Sequence, residues 1–455
     1  MSDGAGSQVR VDLLGTVEVL HEHLTEALCE QVFEECRTAE RRRAWTLSNL
    51  ARFWTAVVLR APKSLRQALA EGTGGGSWGY PDVAASPQAF FQRSQDLDPE
   101  FFKRLFEAFR TLVAGSERAR YAAQHAAITD RFERVLIVDG SKLDAVARRL
   151  RLCWKDRRVP LPGCLLALQD LRGGIPWRLL LDPDAARGEM PRVREVLPEI
   201  PKGTLLLGDR AYGMPTFFAA LGAHGLFGLC RRGARVRWVN EKRLSISEFE
   251  GGTLEDLEVD AGISHKTQTQ RLRCVRWRKG KKRVDLFTNV LDPERLGAAE
   301  AMQLYRERWK VERLFYDLKE VLDLHSFYGA NFRAVAMQVY AAAIVHTAMR
   351  AAQSRIAHAV GRKPEDLSPA KLYPKVAAAS SALTTAEITF EATQALNPEV
   401  RLRKPDWRTM PFSSTTLESI LVETRSEKRK VRRFCASRGR WRALPNASRS
   451  RRRLS

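Results

Sequence analysis

From Ala298 to Tyr328 the chain contains neither Gly nor Pro and is rich in Leu, Glu, Arg and Lys. That composition predicts one long helix. At about 100° per residue, Leu304, Val311, Leu314, Phe315, Leu318 and Leu322 fall in a stripe about 100° wide, a face suited to a core. Tyr305, Arg308, Glu312 and Lys319 fall in a second stripe about 60° wide beside it. One account of this second stripe is a solvated face with an i,i+4 pair, Arg308 to Glu312, worth about 0.2–0.5 kcal/mol. The other is a set of charged groups held at the rim of a buried surface for a chemical task.

Upstream, apolar positions recur at helical spacing over residues 10 to about 130, with segments at Val11–Cys36 and Thr46–Leu59. Gly72 to Pro81 is a turn-rich break, and Ser86-Pro87 and Asp98-Pro99 open two further helices. Such a module either binds duplex DNA through its arginines or serves packing and dimerisation. The period changes at Arg134. Val135-Leu136-Ile137-Val138 is fully apolar and predicts a buried strand ending in Asp139-Gly140-Ser141. Leu165–Leu171 and Trp177–Leu181 predict two more strands joined at Gly173-Gly174. Arg187–Leu197 predicts a helix, Thr204–Leu207 a strand ending in Gly208-Asp209-Arg210, Pro215–Leu221 a helix, and Leu226–Cys230 a fifth strand. The order describes an α/β fold in which two strands end in aspartates. Sites in open α/β sheets lie beyond such strand ends. Either Asp alone reads as a turn or capping residue; the pair, with Glu312 to follow, reads as a site.

Arg231 to Asn289 alternates apolar and charged residues at Arg235–Val239, Leu257–Val259, Gln270–Arg278 and Arg283–Phe287, as antiparallel strands with one exposed face do. Lys279-Gly280-Lys281-Lys282 predicts a hairpin turn, and the segment is basic and carries Trp238 and Trp277. Ala330 to about Ala359 predicts another helix, with further helical turns to about Glu418. Arg425 to Ser455 holds thirteen Lys or Arg against one acid. It reads as a disordered tail that binds nucleic acid nonspecifically or merely solubilises the chain.

Composition narrows the class. With 455 residues, 44% of them hydrophobic, the chain has room for two to four domains. Its 76 Lys and Arg against 53 Asp and Glu leave a net charge of +23, which points to a polyanion, most simply nucleic acid. The polar N-terminus does not resemble a signal peptide, and the apolar run Val339–Val345 is too short to span a bilayer, so no membrane partner is expected. Seven cysteines without a CxxC pair and eight dispersed histidines predict a reduced compartment and no structural zinc. His325 and His346 are expected to be packed or capping residues. Three carboxylates, Asp139, Asp209 and Glu312, would repel each other if gathered, and would require a cation between them. Oxygen-only ligation suits Mg²⁺, with Mn²⁺ as a substitute. Two such ions about 3.5–4 Å apart can clamp the attacking and leaving oxygens of an in-line phosphoryl displacement.

Tyr305, two residues, Arg308, three residues, Glu312, six residues and Lys319 resemble in full the Y-R-E-K signature of DDE transposases of the insertion-sequence-four group. Asp139-Gly140-Ser141 resembles the first DDE motif, and Asp209-Arg210-Ala211-Tyr212 the second, with Ala where Gly is usual. Phe287-Thr288-Asn289 and Arg308-Trp309 also resemble family features. The resemblance covers about 130 to 350. It implies an RNase H-like catalytic core at 131–232 and 290–330, interrupted by a β-rich insertion at 233–289. Flanking it are a helical, DNA-end-binding region at 1–130, a helical region at 331–423 and a basic disordered tail at 424–455. It implies Asp139, Asp209 and Glu312 as catalytic metal ligands for two Mg²⁺ ions. Tyr305, Arg308 and Lys319 would hold DNA phosphates, and Arg210, Tyr212 and Trp309 in the same motifs would also contact DNA. Either Trp238 or Trp277 would stack on a flipped base, or both would simply pair across strands. The implied activity is cut-and-paste transposition through strand cleavage, hairpin formation and strand transfer. A DNA-induced homodimer would carry it out on transposon ends and target DNA in a bacterial cytoplasm, in association with the nucleoid. Two alternatives stay open: a domesticated protein that binds DNA without cutting, and an RNase H-like nuclease without strand transfer.

Overall fold

The computed structural model describes residues 10–36, 43–71, 80–81, 83–117, 126–143, 163–183, 188–262, 269–324, 326–329, 331–396 and 413–421. The turn-rich break at 72–79 and the basic tail lie outside them. The apolar run at Val135 forms the start of a strand in a large mixed sheet. In chain order the strands are β1 (Arg10–Asp12), β2 (Val135–Leu143), β3 (Gly163–Asp170), β4 (Pro176–Asp182), β5 (Leu205–Gly208), β6 (Phe227–Arg231), β7 (Arg237–Phe249), β8 (Gly252–Gly262), β9 (Gln270–Lys279), β10 (Lys282–Thr288) and β11 (Ser414–Thr416). Nine of them make one sheet in the order β4-β3-β2-β5-β6-β10-β9-β8-β7, while β1 pairs with β11. β5 runs parallel to both β2 and β6; every other pairing is antiparallel.

Alternation along the strands builds two cores, because successive side chains point to opposite faces. Val135, Ile137, Leu165, Leu205, Leu207, Leu229 and Leu286 feed one, and Leu136, Val138, Leu166, Leu168, Leu206, Cys230 and Phe287 the other. The helices are α1 (Gly15–His23), α2 (Glu26–Cys36), α3 (Leu47–Arg60), α4 (Leu65–Glu71), α5 (Pro87–Asp96), α6 (Glu100–Glu117), α7 (Ala126–Thr129), α8 (Glu189–Val196), α9 (Pro215–Ala223), α10 (Ala298–Arg306), α11 (Lys310–Tyr316), α12 (Phe332–Ala359) and α13 (Pro369–Leu396). α8 and α9 cover the second face with Val193, Val196, Phe217, Phe218 and Leu221. α10, α11 and α12 cover the first. α12 is buried nearly all round, Ala-rich so that neighbours approach closely, and α1, α3 and α6 pack on it. The N-terminal helices are thus joined to the nine-stranded sheet through one shared helix.

Several expected elements are resolved differently. Val11–Cys36 is not one helical segment but β1, α1 and α2, interrupted at Leu24 and Thr25. α3 and α5 start where their capping residues place them: the Thr46 and Ser86 hydroxyls accept from the backbone N–H of Asn49 and Ala89. The strands expected at Arg235–Val239 and Leu257–Val259 are 13 and 11 residues long. Their charged outer faces hid the length, and Glu250-Gly251, both at positive φ, close them into a tight hairpin. These strands do not stand apart from the central sheet, since β10 pairs with β6 and carries β9, β8 and β7 outward. Toward the C-terminus, a short strand, β11, lies among the expected helical turns.

One buried arginine fastens this extension to the helices behind it. Arg273 on β9 grips Asp256 on β8 with Nε to Oδ1 at 3.1 Å and Nη2 to Oδ2 at 2.5 Å. Its Nη1 donates to the carbonyls of Val290, Asp292 and Leu296, the segment leading into α10. Arg273→Met would leave Asp256 buried and unpaired, a loss of about 3–5 kcal/mol. Urea unfolding of the variant should show a loss of that size, and a midpoint equal to wild type would refute the anchoring role.

Candidate active site

Register places the two aspartates together. β2 and β5 pair in parallel with Val135 opposite Leu205 and Ile137 opposite Leu207. Asp139 and Asp209 each lie four residues beyond the first of these pairs, so they sit at the same level of neighbouring strands. Their parity is that of Val135 and Leu205, which face the core under α10 and α11. α11 packs across β2 and carries Glu312. Sheet pairing and helix packing therefore put the segments that carry Asp139, Asp209 and Glu312 on neighbouring parts of the fold.

The helix expected over 298–328 is continuous in path but not in geometry. α10 gives way to a 3₁₀ turn at Glu307–Trp309, α11 follows, and a π turn runs from Asp317 to Val321. The 3₁₀ turn is overwound and the π turn underwound, and such irregularities cluster at functional positions. The charged stripe survives, but it is no solvated face. The side chains of Arg308, Glu312 and Lys319 are 16%, 12% and 6% exposed. The i,i+4 pair is present, with Arg308 Nη2 to Glu312 Oε1 at 3.1 Å, and Arg308 Nη1 also lies 4.0 Å from Asp139 Oδ2. One guanidinium thus draws two carboxylates toward a single positive centre. Burial opposes its charge, but Tyr305, Asp139 and Glu312 outweigh burial and raise its pKa. Burial pushes the Tyr305 phenol up to about 12, with Arg308 working against it, so it is a neutral donor at this rim.

Lys319 points inward. Its ammonium donates to Ser141 Oγ at 2.7 Å and to the Lys142 carbonyl, clipping the π turn to the end of β2 just beyond Asp139. Around Asp209 the turn is held locally: Ala211 N–H donates to Asp209 Oδ1 at 2.6 Å. Gly213 closes it against the end of β6, where any side chain would meet the Arg231 carbonyl 1.9 Å away. Arg210 is exposed, but Tyr212 is wholly buried, with its hydroxyl donated to Glu189 at 3.0 Å. As placed, Tyr212 has no surface to offer DNA, because its ring fills the core under α9. Trp277 gives its N–H to the Phe249 carbonyl and packs against the core, closing the β7–β8 hairpin. Trp238 lies half-buried between the guanidinium groups of Arg232 and Arg276, each 5.1 Å from its ring, and donates to Glu241. Trp309, 41% exposed, presents the open indole beside Arg308.

Two acids at this end of the fold carry no motif and escape sequence reasoning. Glu189 is one. The other is Asp317, the first residue of the π turn, whose Oδ2 lies 3.7 Å from Nε2 of buried His346 on α12. Among the described residues no group of three or more His, Cys, Asp and Glu is arranged so that it could hold a metal ion. The donor set at the sheet end is nonetheless all-oxygen, and Arg308 shows that Asp139 and Glu312 accept positive charge between them.

Residues 130–348 match the transposase DDE domain. A putative transposase, y4zB of Sinorhizobium fredii (strain NBRC 101917 / NGR234), is 25% identical over 195 residues, 39% of this chain and 53% of that protein. The chain thus spans about half the length of that relative. A solved piggyBac transposase synaptic complex with hairpin DNA aligns over 86% of this chain and 83% of that one, at 10% identity and a TM-score of 0.35, too slight a likeness to argue from. Among the described residues no helix is long and apolar enough to cross a membrane.

His346 makes the support of this site sensitive to pH. Burial lowers its pKa below the ordinary 6.5, reinforced by Arg350 and opposed by Asp317. The folded chain keeps it neutral, so below pH 6.5 the unfolded chain binds a proton that the folded one refuses. Stability should therefore be full above pH 6.5 and decline as the pH falls, and His346→Gln should flatten that decline. Parallel stability–pH profiles for the two proteins would contradict this. The nine strands of the large sheet, α8, α9 and the segment bearing Glu312 all lie within the part of the chain that matches a transposase DDE domain.

Proposed function

We propose that this chain is a DNA transposase whose active site is Asp139, Asp209 and Glu312. The observation that supports the proposal is the parallel register of β2 and β5, whose last pair, Ile137 with Leu207, lies two residues before Asp139 and Asp209, together with the packing of the Glu312 helix on β2. The strand order β4-β3-β2-β5-β6, three antiparallel strands followed by two parallel to the third, is what an RNase H-like core requires. The three carboxylates would hold Mg²⁺ or Mn²⁺, which when bound activates an oxygen nucleophile and stabilises the departing 3′-oxygen.

The chain's own groups position the DNA. Arg308, charged and next to the acids, receives a phosphate by turning from Glu312, and neutral Tyr305 donates beside it. Arg210, next to Asp209 in the chain, and Trp309, next to Arg308, offer an exposed cation and an exposed ring. Lys319 reaches a phosphate only by giving up Ser141, and otherwise fixes the π turn on β2. Cleavage of both strands through a hairpin needs a base out of the stack, at a cost of a few kcal/mol, and stacking on an indole returns about 1–3 kcal/mol. Trp309 is the most open partner, ahead of Trp238 and Trp277. A homodimer formed on DNA would pair the two element ends before cutting.

Incubating the protein with candidate inverted-repeat DNA and Mg²⁺ tests this. Asp139→Ala, Asp209→Ala and Glu312→Ala should each abolish cleavage while DNA affinity, set mainly by phosphate contacts, stays close to wild type. Near-normal cutting by any of the three removes that residue from the site, and DNA bound but never cut by wild type favours the non-cutting alternative. Arg308→Ala should lower the salt slope of binding by about one unit; an unchanged slope leaves Arg308 as a structural partner of Glu312. Denaturing gels of end-labelled DNA should show a hairpin band that Trp309→Ala delays without affecting the first nick. Flush breaks with no hairpin at any time, from a complex of one chain, would sink the hairpin and dimer steps.

A further inference from the structure

The face of the sheet opposite Glu312 carries an acid that the proposed chemistry does not use. Glu189 opens α8, and its carboxyl lies against the backbone of Gly140, the residue after Asp139. A methyl group on Gly140 would stand 2.4 Å from Glu189 Cδ and 2.5 Å from its Oε1. The glycine of Asp139-Gly140-Ser141 is thus explained by space: Glu189 occupies what any side chain there would fill. The other oxygen of the same carboxylate, Oε2, accepts the Tyr212 hydroxyl at 3.0 Å. Tyr212 belongs to the turn after Asp209, where its N–H bonds to the Asp209 carbonyl at 3.2 Å. The base of the brace is fixed too. One turn on, buried Arg192 donates to Asp182 at 2.7 Å and ties α8 to the end of β4.

We infer that Glu189 is a positioning residue that spans the Asp139 and Asp209 motifs from behind the sheet and sets the aim of both carboxylates. It touches neither DNA nor a reacting atom; it acts through Gly140 and Tyr212. A hydrogen bond from one motif and close packing on the other give it contact with both, on the face away from Glu312. The inference rests on the site proposed above and adds a residue that no motif contains. Partners that orient metal ligands in this way commonly change metal affinity by about 10–100-fold when removed.

The test uses the full chain without DNA and two readouts. Electron paramagnetic resonance of free Mn²⁺ gives metal affinity, and thermal unfolding without metal gives stability. Glu189→Ala and Tyr212→Phe should each weaken Mn²⁺ binding about tenfold. Glu189→Gln, which keeps an oxygen to accept from Tyr212, should stay within about threefold of wild type. Gly140→Ala should weaken Mn²⁺ binding in the wild-type background, because its methyl displaces Glu189, and should add nothing to Glu189→Ala. The same non-additivity should appear in unfolding temperature. Unchanged Mn²⁺ affinity in Glu189→Ala, or effects of Gly140→Ala and Glu189→Ala that simply add in both readouts, would overturn the brace while leaving the site reading intact. Failure of wild type to bind Mn²⁺ more tightly than Asp139→Ala would overturn the site reading, and this inference with it.

Discussion

The buried guanidinium of Arg308, 3.1 Å from Glu312 and 4.0 Å from Asp139, is the interaction around which this part of the structure is arranged. Asp139 lies within β2, Asp209 directly follows the parallel strand β5, and α11, packed on β2, carries Glu312. In an apolar setting such a group is costly unless positive charge compensates it. Arg308 supplies that charge, and it is buried enough to make the interaction strong and close enough to be displaced.

Holding that geometry needs rigidity on both faces. On the Glu312 side, Lys319 pins the π turn to Ser141 and His346 backs Asp317, so the helix meets the sheet at fixed points. Behind it α12 is nearly surrounded by protein, and the N-terminal helices lean on the same element. On that side too Arg273 fastens the long outer strands to the segment that leads into α10, and on the other side Glu189 joins the two aspartate motifs. The large sheet makes this possible because its central strands are buried on both faces and cannot slip without exposing an entire row of side chains.

Much of this was legible in local pattern. The fully apolar run at Val135, the aspartate closing β5, and the two adjacent stripes from Leu304 to Leu322 each follow from side-chain period, which is a property of sequence alone, whereas β2 does not end at Asp139 but runs on to Leu143. The hairpin at Gly280 and the helix starts at Thr46 and Ser86 follow from turn and cap chemistry, also local. What local pattern missed was the length of β7 and β8, whose solvent-facing charges look like loop, and the breaks in the helix around Glu312, where tertiary contacts override propensity.

Sequence by itself determined which residues carry charge and which period they follow, and so marked two aspartates and a glutamate as candidates to meet, though it ended β2 at Asp139 where the strand runs on to Leu143. It did not determine that they meet. The level of Asp139 and Asp209 comes from strand register, a long-range pairing that no window of residues encodes. Whether Arg308 and Lys319 face water or the interior depends on what packs over the helix, and only the sheet decides that. Glu189 was invisible for the same reason. Its meaning lies in the space above Gly140 and the hydroxyl of Tyr212, residues 49 and 23 positions away in the chain, which only folding brings to its carboxylate.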